Sequence, residues 1–338
     1  MSAPTAVPIH SDLRRCPDPL YRSLPVRFSE RFLPLGKTVQ VESNSPAIIA
    51  AASRSFGRYG LGASSLEPEI VLRICVDPVS RDSGLLAPPS YRASQHLFHI
   101  SCGSTNFAVA DLYTGTAVGF VTPELVENES FFCNAFLECL FHVLAVHQSH
   151  TPVHCATVAT DGRGILICGS SGAGKTTLAY ACARANMQII SDDVVHLEWL
   201  SSLQQLVLWG NPWQLKLLPN TSEFFPELAG RPLKRRSDST LHIEVDVPLE
   251  FPGADRVRCE PSVLVFLERS AGTRTECRPM NPSEALERLK QDIVLDDELV
   301  VQRHYSILER LLLSPAYTLT CSGHPVSAVA CLRALATQ

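Results

Sequence analysis

The residues best suited to chemistry in this chain are Gly169, Ser170, Ser171, Gly172, Ala173, Gly174, Lys175 and Thr176, a Gly-x-x-x-x-Gly-Lys-Thr run. Polyphosphate oxygens have to be met by backbone N–H groups, and glycines let the chain turn tightly around them with no Cβ in the way. The spacing predicts a loop of that kind. Lys175 would reach the β- and γ-phosphates, the Thr176 hydroxyl would ligate Mg²⁺, and Thr177 would complete the phosphate-binding set at the start of a helix. The flanks agree: Ile165-Leu166-Ile167-Cys168 reads as a short buried strand and residues 176–185 as a helix, whose positive N-terminal end would face the anion. The expected ligand is a nucleoside triphosphate, ATP with Mg²⁺.

Such a site also needs a carboxylate for the metal, and the next apolar strand, 187–190, runs into Ser191-Asp192-Asp193. Successive strand residues point to opposite sides, so one aspartate can face the metal while the other faces a phosphoacceptor. An Asp-Asp pair in that position is also common as a turn or cap. His154 lies among Val153, Cys155 and Ala156 on the preceding strand, and a histidine in such company is more often a packed core residue than a catalyst. Lys234-Arg235-Arg236 is the one compact basic cluster, as readily a solvated turn as a phosphate contact.

The elements that must position these residues follow from the hydrophobic pattern. Strands are expected at 69–76 and 96–102, then at 107–112 and 117–121 on either side of a turn at Tyr113-Thr114-Gly115, together a small antiparallel sheet. From Glu127 to Gln148 apolar residues recur at three and four positions, predicting a helix of about 20 residues. Pro152 follows, and a domain boundary is set close to residue 150. Beyond it come a strand at 153–160, a hairpin turn at Asp161-Gly162-Arg163-Gly164, the strand to Cys168, the loop, the helix and the strand at 187–190. That alternation argues for an α/β core. Later strands are expected at 205–209, 241–245 and 262–267, and helices at 283–291, 303–313 and 325–336. Residues 1 to about 65, rich in Pro, Ser and Arg, give little signal.

Bulk properties narrow the classes. A chain of 338 residues with 45% hydrophobic and 19% charged residues suits two globular domains, an N-terminal α+β domain over 1–150 and an α/β domain over 151–338. The formal charge of −5 offers no general attraction for nucleic acid. Twelve cysteines are scattered with no Cys-x-x-Cys pair, which reads as reduced structural thiols. Met1 to Pro19 has no apolar stretch after a basic start, and no window approaches the roughly 18 apolar residues of a membrane span. The expectation is a cytoplasmic protein without nucleic-acid or membrane partners.

Taken together, Val153-His154-Cys155-Ala156, the hairpin, the 169–176 loop and Ile190-Ser191-Asp192-Asp193-Val194-Val195 resemble the catalytic domain of bacterial HPr kinase/phosphorylase. The resemblance implies a P-loop fold of the HPr kinase and phosphoenolpyruvate carboxykinase type, distinct from the Ras-like and RecA-like folds. It implies one active site framed by His154, the loop and the two aspartates. Lys175 and the loop amides would hold the phosphates, Thr176 and Asp193 would hold Mg²⁺, Asp192 would accept a hydroxyl proton, and His154 would hydrogen-bond the phosphates or an active-site aspartate. Arg235 or Arg236 would stabilise charge on the transferring phosphoryl group. The implied activity is an ATP-dependent kinase acting on a hydroxyl, serine foremost, of a small protein, peptide or metabolite. The chain has Thr176-Thr177 where enzymes that phosphorylate HPr carry Ser then Glu, and Trp209-Gly210-Asn211-Pro212-Trp213 in the region of the family's Glu-Leu-Arg-Gly signature. Both departures point to the divergent HPr-kinase-related proteins rather than to HPr as acceptor. A nucleotide-gated regulatory ATPase without an acceptor is the alternative, and a homo-oligomer is open because such relatives commonly assemble.

Overall fold

The computed structural model describes residues 26–62, 67–77, 87–235, 240–269, 275–293, 295 and 297–336. Arg236 and the reading of Met1 to Pro19 lie outside the described residues. The fold is mixed α/β with several sheets. It divides into two compact units, one from the residues up to 33 together with 38–144, the other from 34–37 together with 145 onward.

The first unit holds β1 (Phe28–Phe32), β2 (Val39–Ser43), β3 (Ile70–Val76), β4 (Ser90–Ser94), β5 (Leu97–Cys102), β6 (Asn106–Asp111) and β7 (Thr116–Val121). The small antiparallel sheet expected here is instead seven-stranded and mixed, because β3 runs parallel to both β2 and β7. Parallel neighbours need a crossover, and the helix Pro46–Phe56 supplies it between β2 and β3. That helix starts by local rules: the Ser45 side chain accepts from the Ala47 amide and Pro46 occupies the first turn. The helix Glu129–Gln148 spans 20 residues, with a π-helical stretch at Cys133–Glu138. By length and composition it is apolar enough to cross a membrane, which the sequence reading did not anticipate, yet 56% of its most apolar window is buried inside the protein. Phe132, Phe136, Leu140 and Leu144 are its fully buried face.

The second unit is built on an eight-stranded sheet. Its strands are β8 (Thr151–Thr160), β9 (Arg163–Cys168), β10 (Gln188–Ser191), β11 (Val194–Leu200), β12 (Gln205–Trp209), β16 (Arg258–Arg269), β17 (Glu276–Pro279) and β18 (Ala316–Cys321). A separate three-stranded sheet, in the order β13 (Gln214–Leu217), β15 (Leu241–Asp246), β14 (Leu233–Arg235), lies between them in sequence. β9, β16 and β18 are parallel neighbours, and the apolar runs Ile165–Cys168 of β9 and Val263–Leu267 of β16 are buried because both of their faces are covered. On one face Ile165, Ile167, Val263 and Val265 join Leu178 and Cys182 of the helix Lys175–Arg184 and Leu332 of the helix Val326–Ala336. On the other, Leu166, Leu264 and Phe266 join Leu289 and Leu308 from the helices Pro282–Lys290 and Glu298–Leu311. The last of these begins five residues before the expected 303 because Asp297 caps it, accepting from the Leu299 and Val300 amides.

Inside this unit His304 is fully buried, and its Nδ1 lies 2.8 Å from Thr151 Oγ1. Burial, reinforced by the neighbouring Arg303 charge, pushes its pKa down from 6.5 to about 4. The imidazole is therefore neutral in the folded protein over a range where the unfolded chain binds a proton. Its stabilising contribution is complete above pH about 6.5 and is lost as pH falls toward 4, by up to about 3 kcal/mol. Urea titrations at pH 7, 5.5 and 4.5 should show this decline, and His304→Gln should make it shallower, the remainder including buried His142, whose pKa burial also pushes down to about 4. The same pH slope in variant and wild type would remove His304 from the acid response.

Candidate functional site

The phosphate-type loop begins where β9 ends. Gly169 and Gly174 take φ of 154° and 101°, conformations that favour glycine, and Gly169 is also crowded: a Cβ there would lie 3.0 Å from Leu267 O. The loop is thus laid against the end of β16. The helix Lys175–Arg184 starts at Gly174 with no side-chain cap, which leaves its first amides for an anion. Lys175 is buried, and its ammonium donates to Gly169 O at 2.8 Å and Ser170 O at 3.3 Å, so it closes across the loop it belongs to. Thr176 is half-buried, Ser170 and Ser171 are exposed, and Thr177 Oγ1 lies 3.2 Å from Thr221 Oγ1.

His154 comes to this loop by strand alternation. Ala156 and Val158 on β8 pack with Leu178 and Ala179 of the loop's own helix, and a period of two sets His154 on that same face. It stands at the loop end, because its neighbour Cys155 pairs with Cys168, the last residue before Gly169. His154 is 41% exposed at its side chain, with Nδ1 3.6 Å from Asp193 Oδ1. That separation suits an ion pair when the ring is protonated and is too long for a hydrogen bond. The β8–β11 register, with Val194 opposite His154, makes the approach.

The two aspartates face different surroundings. Asp192 is buried and its Oδ2 accepts from the Lys216 amide of β13 at 2.8 Å, whereas the Asp193 side chain is 62% exposed. Cys168, beneath the loop, is held above the usual thiol range by the Cys155 thiol beside it and by burial, so it is a neutral packing residue. Among the described residues no group of three or more His, Cys, Asp or Glu side chains could hold a metal on its own. Mg²⁺ at such a site is bound through one or two carboxylates together with the phosphates. Arg235 is exposed at the end of β14.

Two residues at the site escaped sequence reasoning. Arg269 ends β16, and its Nε donates to Ala173 O in the loop at 3.2 Å. The available signal was a Glu268-Arg269 pair closing the apolar run Val263–Leu267. Gly210 is the other. A Cβ there would sit 2.0 Å from Ile190 O, so the backbone of β10 passes directly over it just before Asp192. Gly210→Ala must therefore push that strand end aside, with an expected loss of about 1–3 kcal/mol and weaker function through the displaced aspartates. A thermal melt of the variant that overlays the wild type would contradict this close packing.

No protein-family model and no curated protein matches this chain. Among solved structures, the HPr(Ser) kinase/phosphatase from Coxiella burnetii is a distant structural resemblance. It shares 16% identity over 54% of this chain and 94% of that one, with a TM-score of 0.29.

Proposed function

We propose that the chain is a Mg-ATP-dependent kinase that transfers the γ-phosphoryl group to a hydroxyl, serine foremost, of a small protein, peptide or amino acid. The observation that supports this best is convergence: a glycine loop, an uncapped helix start and Lys175 share one face of the sheet with the His154–Asp193 pair. Cations and amides for a polyphosphate thus meet carboxylates for a metal and a proton.

The residues fit their ligands. The amides of 172–175 and Lys175 would hold the phosphates. Mg²⁺, when bound, neutralises charge on the β- and γ-oxygens, and Thr176 with the exposed Asp193 would hold it, since this ion keeps several waters and suits an open carboxylate. Asp192 is the carboxylate fixed in direction, one oxygen pinned by the Lys216 amide. In the transfer it accepts the acceptor's hydroxyl proton while that oxygen bonds the γ-phosphorus and the bond to the β–γ bridging oxygen breaks, releasing ADP. His154, when protonated, would pair with the Asp193 carboxylate and hold it beside the loop. Arg235 or Arg236 is a further candidate for the charge on the transferring group. In this reading residues 151–338 are the P-loop catalytic domain of HPr kinase type and residues 1–150 select the acceptor. The reaction belongs in the cytoplasm.

The test is incubation of the protein with γ-labelled ATP and a cell lysate, followed by mass spectrometry, with Lys175→Ala as control. A discrete labelled acceptor that disappears with the variant is the expected result. ATP turnover with no labelled acceptor would instead favour a nucleotide-gated ATPase, and no ATP binding would end both readings.

A further inference from the structure

Arg269 is positioned for more than strand termination. β9 and β16 are parallel with Phe266 opposite Cys168, and β16 runs on past the end of β9 to Arg269, which emerges beside the loop that β9 delivers. Ligands of α/β sheets bind at such carboxyl ends. The guanidinium lies against the Ala173–Gly174 peptide unit: Nε donates to Ala173 O at 3.2 Å, and a Cβ on Gly174 would be 3.5 Å from Nη2 and 3.9 Å from Nε. An arginine carries five N–H donors in a planar fork, and the Ala173 carbonyl takes one of them.

The charges around it sharpen the point. Glu268, the adjacent residue, is engaged with Arg288 at 3.1 Å, and the charged side chain bonded within the loop itself is Lys175. Arg269 and Lys175 thus bring two like charges to one short loop, an arrangement that disfavours itself and favours an anion between them. Arg269 is exposed, so its single bond to a carbonyl adds little stability and does not account for the placement.

We propose that Arg269 is a second phosphate-binding cation, gripping the nucleotide's polyphosphate from the β16 side as Lys175 does from the helix side. This rests on the ATP reading above. The test uses the full-length chain in calorimetric titrations with Mg-ATP and with inorganic tripolyphosphate, comparing wild type, Arg269→Gln, Arg269→Lys and Lys175→Ala. Arg269→Gln should weaken both ligands about 10- to 100-fold with an unchanged melting temperature, and Arg269→Lys should restore part of the affinity because it keeps the charge. Wild-type affinity in Arg269→Gln alongside loss in Lys175→Ala overturns this inference alone. A lowered melting temperature, with Arg269→Lys no better than Arg269→Gln, makes Arg269 a structural tie to Ala173 and likewise overturns it. Failure of the wild type to bind either ligand overturns the ATP reading and this inference together.

Discussion

Lys175→Ala is expected to abolish productive ATP binding and to lower phosphoryl transfer by about 10²–10³ or more. The ammonium is a fixed charge in a water-poor setting: Lys175 is 8% exposed and its Nζ is already held by the carbonyls of Gly169 and Ser170. A charge so placed needs no reorganisation to meet a developing negative charge, and preorganised donors of this kind contribute most to transition-state stabilisation. Alanine keeps good helix propensity at the first position of the helix Lys175–Arg184, so the helix should persist and the loss should be electrostatic. Equilibrium titration with Mg-ATP and single-turnover transfer separate binding from chemistry. Wild-type affinity and turnover in the variant would take the loop out of the mechanism altogether.

The contiguous part of this site was legible in the sequence, and the rest was hidden by chain separation. β8, β9, the loop, its helix and β10 follow one another without interruption, and each obeys a local rule: period-two alternation, a glycine-rich turn, then a helical face. Arg269 reaches Ala173 across 96 residues and the Lys216 amide reaches Asp192 across 24, contacts that no local pattern encodes. His154 marks where the local pattern stops. Its apolar neighbours correctly gave a strand, but whether the end of β8 is covered depends on the register of β11, which leaves the ring half-exposed beside Asp193. In the first unit the missing information was a crossover. The helix Pro46–Phe56 sits in a stretch whose Pro and Ser content suggested little structure, although Ser45 and Pro46 are its start signals. Without that helix no strand was read at β2, and β3 was grouped as antiparallel with the strands that follow it, whereas it runs parallel to β2 and β7. β18 was passed over for another reason: its residues alternate only weakly between buried and half-buried, while its parallel pairing with β16 holds it in the sheet.

The two aspartates should separate binding from chemistry, because a metal ligand acts on the bound nucleotide whereas a base acts only as the hydroxyl attacks. Asp193→Asn should raise the Mg²⁺ requirement and weaken Mg-ATP binding, since its exposed carboxylate beside His154 is the one open to a hydrated cation. Asp192→Asn should leave binding nearly intact and cut transfer by about 10²–10⁴. The carboxamide matches the carboxylate in size, and its oxygen can still accept from the Lys216 amide, so packing around β13 should survive while the ability to take a proton is lost. Urea melts of both variants check that folding is unchanged, and Mg²⁺ titrations of transfer rate then sort the two phenotypes. Exchanged phenotypes would mean that the pinned, buried carboxylate holds the metal and the exposed one, next to the imidazole, takes the proton. In that case the pH profile of transfer should shift on replacing His154 with Gln. Wild-type transfer in both variants would make Asp192 and Asp193 a structural turn between β10 and β11, and the chemistry would have to be sought elsewhere around the loop.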